Sequence, residues 1–279
     1  MAYKTLMTVV TDPALAEVPL AQGIAMAEAE DAHLEVACFG VDRTQTGYYY
    51  AGANAMILQE TLSRAQKEAE AAAEHVRAQL GGTSIRWNVE TGVAQLADIG
   101  RSVAAHARFS DLVILPKPYG EGHGAELEPI IEGALFDGRV PVMVMPDKAT
   151  STLNPRRVMI GWDESAEALS AVRAAIPLLT RADAVHVVVV DPPAHGPNRS
   201  DPGGLLSQFL ARHGVKVEID VLAKTLPRIS DVLARHAGDI EAEMIVMGAY
   251  GHSRFREAIL GGATRNMLES TSVPLFMAH

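Results

Sequence analysis

An internal duplication constrains the fold of this 279-residue chain more than any other feature. Two segments can be laid over each other, LMTVVTDPALAEVPLAQGIAMAEAEDAHLEVACFG and VMIGWDESAEALSAVRAAIPLLTRADAVHVVVVD, with a shift of 151 residues that places Asp163 over Asp12. Further along, LVILP overlays MIVMG, and VPVMVMP overlays VPLFMAH. Self-similarity on this scale indicates two copies of one structural unit.

Each copy alternates strand-like and helix-like segments. The first copy predicts strands at 6–10, 34–40, 85–90, 112–115 and 141–145, and helices at 14–31, 56–80, 94–106 and 129–136. The second copy repeats the pattern, with helices at 202–212, at 226–237 and from Ala263 onwards. This alternation predicts an α/β fold with a mainly parallel sheet. The polar segment 146–156 contains two prolines and predicts a linker, so the predicted domains are 1–148 and 155–279.

The second copy contains a glycine-rich junction between a strand and a helix. Its apolar run ends at Gly248, Gly251 follows, and the pair Gly261 and Gly262 precedes the helix that Ala263 and Thr264 open. Such a junction can hold phosphate, because glycines let the backbone approach an anion and the first N–H groups of a helix are unpaired. The glycine spacing matches neither the Walker loop nor the dinucleotide fingerprint.

The first copy lacks this junction. Pro116 stands where the second copy has Gly248, and Tyr119 stands where it has Gly251. Proline has no N–H to donate, and a tyrosine side chain blocks close approach to a phosphate. We therefore expect a nucleotide site in the second copy and a degenerate one in the first.

These features together resemble the universal stress protein family, and specifically its tandem members. The resemblance covers nearly the whole chain and rests on GWDESAEALSAVRAA, on the loop Gly-x2-Gly-x9-Gly at Gly248, Gly251 and Gly261, and on the final strand VPLFM. It implies two doubly wound parallel five-stranded sheets of order 3-2-1-4-5, a Rossmann-like fold similar to the adenine nucleotide alpha hydrolases. It also implies intramolecular pairing of the two domains through their last strands.

The resemblance implies an adenine nucleotide as ligand. ATP is the preferred candidate, ADP and AMP are the alternatives, and Mg²⁺ could bind together with the nucleotide. In doubly wound sheets the ligand lies beyond the carboxyl ends of the strands where their order reverses. Carried over residue by residue, the family site places Asp163 at the base or ribose and Val189 or Val190 at the adenine. The residues expected to bind the phosphates lie on the glycine loop and the following helix: Gly248, Gly251, Gly261, Gly262, Ala263 and Thr264.

Two positions leave alternatives open. Asp163 could bind the ligand, cap the following helix, or do both. The family places Ser or Thr directly after the third glycine, whereas this chain has Gly262. Thr264 could supply the missing hydroxyl or could cap its helix.

Composition excludes several classes of function. A net charge of −10 and a pI near 5.5 argue against nucleic acid or an anionic membrane as the main partner. The single Cys38 excludes an intramolecular disulfide, and a buried inert thiol is expected there. The N-terminus shows no signal-peptide pattern, so we expect a cytoplasmic protein. A homodimer is compatible with the sequence, although no feature supports one.

No catalytic residues are predicted, because no nucleophile, general base pair or Walker-type lysine can be named. An exposed loop position is the favoured interpretation of His252. Arg254, Arg256 and Arg265 could face phosphate or solvent. A polar loop is favoured over a metal site for one acidic cluster, Glu121, His123, Glu126 and Glu128. The alternatives to a nucleotide-binding regulator are a nucleotide-independent scaffold protein with decayed sites and a slow ATPase.

Overall fold

The computed structural model describes residues 3–43, 54–148, 154–192, 201–250 and 262–279. The chain folds into two compact units, Met1–Val140 and Pro141–His279. Within the described residues, no helix is long and apolar enough to cross a bilayer.

The first unit alternates strands with helices. Its elements are β1 (Thr5–Val10), α1 (Pro13–Glu30), β2 (His33–Asp42), α2 (Asn54–Leu80), β3 (Arg86–Gln95), α3 (Ile99–Ala107), β4 (Leu112–Pro116) and α4 (Leu127–Glu132), which continues as a π-helical turn over Gly133–Asp137. The four strands run parallel to one another, in the order β3-β2-β1-β4. The central strands are continuous apolar runs because helices cover them, and every residue of β4 is buried.

The second unit repeats this arrangement and adds one strand. Its elements are β5 (Val142–Met145), β6 (Arg157–Gly161), α5 (Ala166–Leu179), β7 (Ala184–Val190), α6 (Gly204–Arg212), β8 (Val217–Leu222), α7 (Ile229–Asp239), β9 (Met244–Gly248), α8 (Ala263–Ser270) and β10 (Leu275–Ala278). The order is β8-β7-β6-β9-β10-β5, with β5 antiparallel to β10 and the other pairs parallel. In the numbering of the second copy, its own five strands follow the order 3-2-1-4-5.

The α/β Rossmann-like fold with a mostly parallel sheet is therefore confirmed, whereas the predicted division into two domains of five strands each stays a prediction. β5 comes from the first copy of the sequence but belongs to the second unit of the structure. Among the described residues the units hold four and six strands, and the boundary between the units falls after Val140. The physical reason is the pairing of β5 with the edge of β10, the pairing expected of the two final strands.

One strand is longer than predicted. The sequence favoured a strand at 85–90 and a helix from Ala94, whereas β3 extends over Arg86–Gln95 and α3 begins at Ile99. β3 pairs with β2 over its whole length, from His33 opposite Arg86 to Asp42 opposite Gln95. Because the ladder satisfies the backbone of this segment, pairing overrides the local preference for helix.

Cys38 lies on β2 and is fully buried. Burial raises the pKa of its thiol from 9.0 to about 11, although the nearby Arg77 charge lowers the pKa in part. We expect the native protein to resist thiol reagents at pH 8, where only about one thiol in a thousand is ionised. Unfolding in denaturant should release one reactive thiol per chain. Labelling of the native protein at the denatured rate would contradict the buried thiol.

The same shift has a consequence for stability. The thiol of the unfolded chain has the ordinary pKa of 9.0, so it ionises at a lower pH than the folded one. The contribution of the buried, neutral thiol to the free energy of unfolding is fully present below pH 9. The free energy of unfolding falls as the pH rises from 9 towards 11.

Candidate functional site

The strand order of the second unit reverses between β6 and β9, and we call the space beyond their carboxyl ends the crevice. The two strands are paired up to Gly161 and Met247. Beyond this point their backbones turn away from each other: the N–H of Trp162 donates to the carbonyl of Val188 on β7, at 3.0 Å, and the N–H of Ala249 donates to the carbonyl of Ala278 on β10, at 2.9 Å. The strand order reverses here, which is where doubly wound sheets bind ligands.

The backbone at the edge of this crevice is strained. Three residues that are not glycine adopt left-handed conformations just after β6, β7 and β9, namely Glu164 (φ 63°), Asp191 (φ 50°) and Tyr250 (φ 55°). Left-handed residues of this kind cost free energy and are concentrated at functional sites. In the part of the first unit that the structure describes, the two such residues are Asp31 and Arg139, which follow helical segments instead of β1 or β4.

Asp163 is exposed and builds the turn after β6. Its Oδ1 accepts from the backbone N–H of Ser165 at 3.0 Å and from the Ser165 hydroxyl at 2.6 Å. The Ser165 Oγ in turn accepts from the N–H of Ala168, at 3.1 Å, and so caps α5. Of the alternatives left open for Asp163, direct capping of the helix is therefore wrong, since Ser165 performs that role. The corresponding Asp12 does cap its helix directly, through the N–H of Ala14 at 2.9 Å.

Gly248 is required by packing at the end of β9. A Cβ atom at this position would lie 2.5 Å from the backbone nitrogen of Ala168 and 2.8 Å from the carbonyl carbon of Glu167. The strand end thus lies directly against the first turn of α5, and no side chain fits between them.

We expect Gly248→Ala to lower the free energy of unfolding by about 1–3 kcal/mol, because the new methyl group meets backbone that cannot rotate away. Denaturant unfolding measures the change. Gly238→Ala on α7 is the matched control, since its Cβ would meet no atom within 4 Å. That control should be neutral or slightly stabilising. Equal stability of the two variants would contradict the close packing of β9 on α5.

The start of α8 forms the opposite wall. Its N-cap is Gly262, which makes no side-chain capping bond because it has no side chain. Thr264 is buried, and its hydroxyl accepts from the backbone N–H of Tyr250 at 3.1 Å. The hydroxyl therefore ties the chain after β9 to the first turn of α8 and does not cap that helix. Whether it also reaches a phosphate stays a prediction.

The remaining predicted site residues divide into two groups. Val189 is buried and Val190 half-buried at the carboxyl end of β7, the strand next to β6. Ala263 is the first residue of α8. Gly251 and Gly261 lie outside the described residues, as do His252, Arg254 and Arg256.

Three further residues at this edge of the unit were not predicted from the sequence. Ser165 was recognisable, because a serine directly before a helical pattern is the usual N-cap signal. Tyr250 gave no signal, since its left-handed conformation depends on the fold. Arg228, at the N-cap of α7, donates to the side-chain oxygen of Asn266 on α8 at 3.4 Å, and only the tertiary structure brings them together.

The first unit differs at the corresponding helix start. The N-cap of α4 is Glu126, whose side chain is 3% exposed and accepts from the Arg43 guanidinium at 2.6 Å. The acidic cluster that contains Glu126 and His123 is not a set of converging metal ligands. The Glu126 carboxylate is paired with Arg43, and the His123 Nδ1 lies 2.8 Å from the carbonyl oxygen of Lys117. A buried carboxylate at this place disfavours a phosphate.

Comparison with known proteins relates the second copy to one family. Residues 154–279 match the model of the Universal stress protein family. A universal stress protein of Synechocystis sp. is 28% identical over 179 residues, which cover 59% of this chain and 56% of the relative. This chain therefore matches little more than half the length of that relative.

Solved structures match the fold of the whole chain. A universal stress protein from Archaeoglobus fulgidus superposes with a TM-score of 0.69 at 15% identity, over 100% of this chain and 96% of that one. A functionally unknown protein from Pseudomonas aeruginosa PAO1 gives 0.55 at 13% identity, over 99% and 92%. At these identities the likeness concerns the fold alone.

Proposed function

We propose that this chain, whose residues 154–279 constitute a universal stress protein domain, binds an adenine nucleotide in that domain and acts in stress response as a nucleotide-dependent regulator. ATP is the proposed ligand, with ADP and AMP as the alternatives. We also propose that the chain is a tandem protein, in which the first copy keeps the fold and has lost the nucleotide site.

The crevice between β6 and β9 carries this proposal. Two helices begin at this crevice. The start of α8, at Gly262, has no side-chain cap, whereas Ser165 caps the start of α5. Uncapped N–H groups at a helix start favour an anion through hydrogen bonds and through the helix dipole. The triphosphate is the part of the nucleotide that fits this requirement, and Gly248, Gly251, Gly261, Gly262 and Ala263 are the proposed backbone contacts.

The other wall suits the nucleoside. Asp163 is held by Ser165 yet remains exposed, so its carboxylate can accept hydrogen bonds from ribose hydroxyls. Val189 and Val190 offer an apolar surface at the end of β7 for adenine. The Thr264 hydroxyl accepts from the backbone N–H of Tyr250 and still has its own O–H to donate to a phosphate. Mg²⁺ would contribute by neutralising phosphate charge.

The first unit has features that disfavour a second nucleotide, which supports a stoichiometry of one nucleotide per chain. Glu126 places a buried carboxylate at the start of α4, and Pro116 removes one N–H donor from the end of β4. A nucleotide bound there would bring phosphates beside a carboxylate that the protein has already paired with Arg43. We therefore assign a single nucleotide to each chain.

Calorimetric titration of the full chain with ATP, ADP and AMP, each with and without Mg²⁺, tests this function. One site per chain is the expected result, with the triphosphate binding most tightly. Absence of heat with every nucleotide, at protein concentrations that detect millimolar affinity, would refute the proposal. Steady phosphate release during the titration would instead identify an ATPase.

A further inference from the structure

A second cluster of side chains, remote in sequence from the glycine junction, lies in the first unit. It contains Glu35 on β2, Glu90 on β3 and His106 in the last turn of α3. The His106 Nδ1 lies 3.3 Å from Oε1 of Glu35 and 3.4 Å from Oε2 of Glu90. The three ligand atoms all lie within 4.8 Å of one another. Three elements of the unit thus bring one imidazole and two carboxylates to a single point.

The spacing of these atoms suits a metal ion better than a hydrogen bond. Charge-assisted N–H···O bonds are typically about 2.7–2.9 Å long, so both contacts are too long to be good ones. A tetrahedral Zn²⁺ with bonds of about 2.0–2.2 Å separates neighbouring ligand atoms by about 3.3–3.6 Å. The two distances from His106 match this separation. A cation between the two glutamates would offset their mutual repulsion.

Neighbouring residues hold two of the ligands in place. The Asn88 amide donates to Oε1 of Glu90 at 3.3 Å and leaves Oε2 directed at His106. The Phe39 ring meets the His106 ring edge to face, with centroids 6.1 Å apart and an interplanar angle of 70°. A hydrogen-bond partner such as Asn88 orients a metal ligand and raises affinity. The side chains are 20% exposed for Glu35, 33% for His106 and 49% for Glu90, so an ion could enter from solvent and keep water as a fourth ligand.

The second unit carries a matched trio that differs in geometry. The shift of 151 residues places His186 over Glu35, and a shift of 130 residues places Asp220 over Glu90 and His236 over His106. Here both imidazoles reach the same carboxylate oxygen, Asp220 Oδ2, from 3.0 Å and 2.8 Å. These are hydrogen-bond lengths, so the histidines already occupy the oxygen that a metal would need. The duplication thus provides a natural control within one chain.

We propose that Glu35, Glu90 and His106 form a binding site for a divalent transition-metal ion of the zinc class. One imidazole nitrogen and two carboxylate oxygens form a ligand set that Zn²⁺ accepts, whereas Mg²⁺ and Ca²⁺ prefer oxygen alone. The site is independent of the nucleotide proposal and lies on the first unit, for which we propose no nucleotide. The metal is assigned no role in phosphate chemistry.

Calorimetric titration of the chelator-treated full chain with ZnCl₂, in the absence of nucleotide, tests the proposal. The wild type should bind one Zn²⁺ per chain, and zinc should raise its thermal midpoint. Both His106→Gln and Glu90→Gln should weaken binding by more than about 100-fold and should abolish the zinc-dependent rise in midpoint. Because Glu90 is half exposed, Glu90→Gln preserves a test even if the histidine variant folds poorly.

His236→Gln is the matched control, since it removes the equivalent histidine of the second unit. It should bind zinc within about twofold of the wild type. Loss of binding in His236→Gln with retention in His106→Gln would overturn the assignment. Wild-type affinity in both first-unit variants would overturn it too, because zinc would then bind other surface histidines, and so would failure of the wild type to bind zinc at all.

Discussion

Replacing Gly262 with aspartate should weaken ATP binding by about 100-fold while leaving the fold as stable as before. The new carboxylate would stand at the N-cap of α8, where we place the phosphates, and a like charge a few ångströms away costs several kcal/mol, each 1.4 kcal/mol being about tenfold in affinity. The backbone of Gly262 (φ −58°, ψ 159°) is open to any residue. Aspartate also caps helices well, so the free energy of unfolding should stay equal or rise by about 0.3–1 kcal/mol.

Gly262→Asn separates charge from shape in the same experiment. Asparagine has the size of aspartate and also caps helices, yet it carries no charge. It should reduce ATP affinity far less than aspartate does, as measured by calorimetry on both variants. Equal affinities for the two variants would show that no phosphate lies near Gly262, and the nucleotide would have to bind elsewhere.

Replacing Phe276 with alanine should destabilise the second unit by about 3–5 kcal/mol, the usual cost of removing a buried aromatic ring. Phe276 is fully buried in β10 and stands opposite Met143 of β5, which is 2% exposed. The cavity would open in the middle of the antiparallel β5–β10 pair, where the flanking residues are also buried. Chemical denaturation monitored by circular dichroism measures the change.

Phe109→Ala provides the control with identical chemistry. This ring follows α3 and is 77% exposed, so its removal should change the free energy of unfolding by less than about 0.5 kcal/mol. A small effect at Phe276, comparable to that at Phe109, would mean that β5 does not form a packed strand beside β10.

The sequence alone was sufficient for the kind of fold but not for the extent of its elements. Apolar runs such as LVILP and the repeated strand and helix periods identified the mainly parallel sheet, because burial on both faces leaves a strong pattern. The length of β3 escaped prediction because Gly92 interrupts the strand pattern and Ala94 and Gln95 are good helix formers. They become a strand through pairing with β2, which is a tertiary effect.

The candidate site shows a similar division. Asp163 and Gly248 were identified from the repeat, and the fold brings their strand ends to one crevice. The roles of individual groups were less predictable: Ser165, and not Asp163, caps α5, and the Thr264 hydroxyl bonds to Tyr250. The Ser165 cap is local, and the serine before the helical pattern is a recognisable signal for it. The bond between Thr264 and Tyr250 depends on which turn lies beside which helix, and sequence spacing carries no information about it.

The position of β5 determines where this chain can be cut. A fragment starting at residue 155, as the sequence repeat suggests, would lack Val142–Met145 and would leave the backbone of β10 as an open edge. Open edges of apolar strands recruit other strands, so such a fragment would self-associate. A fragment starting at Pro141 would keep β5 and therefore the strand that covers the edge of β10. The second copy of the duplication therefore depends on a strand that the first copy encodes.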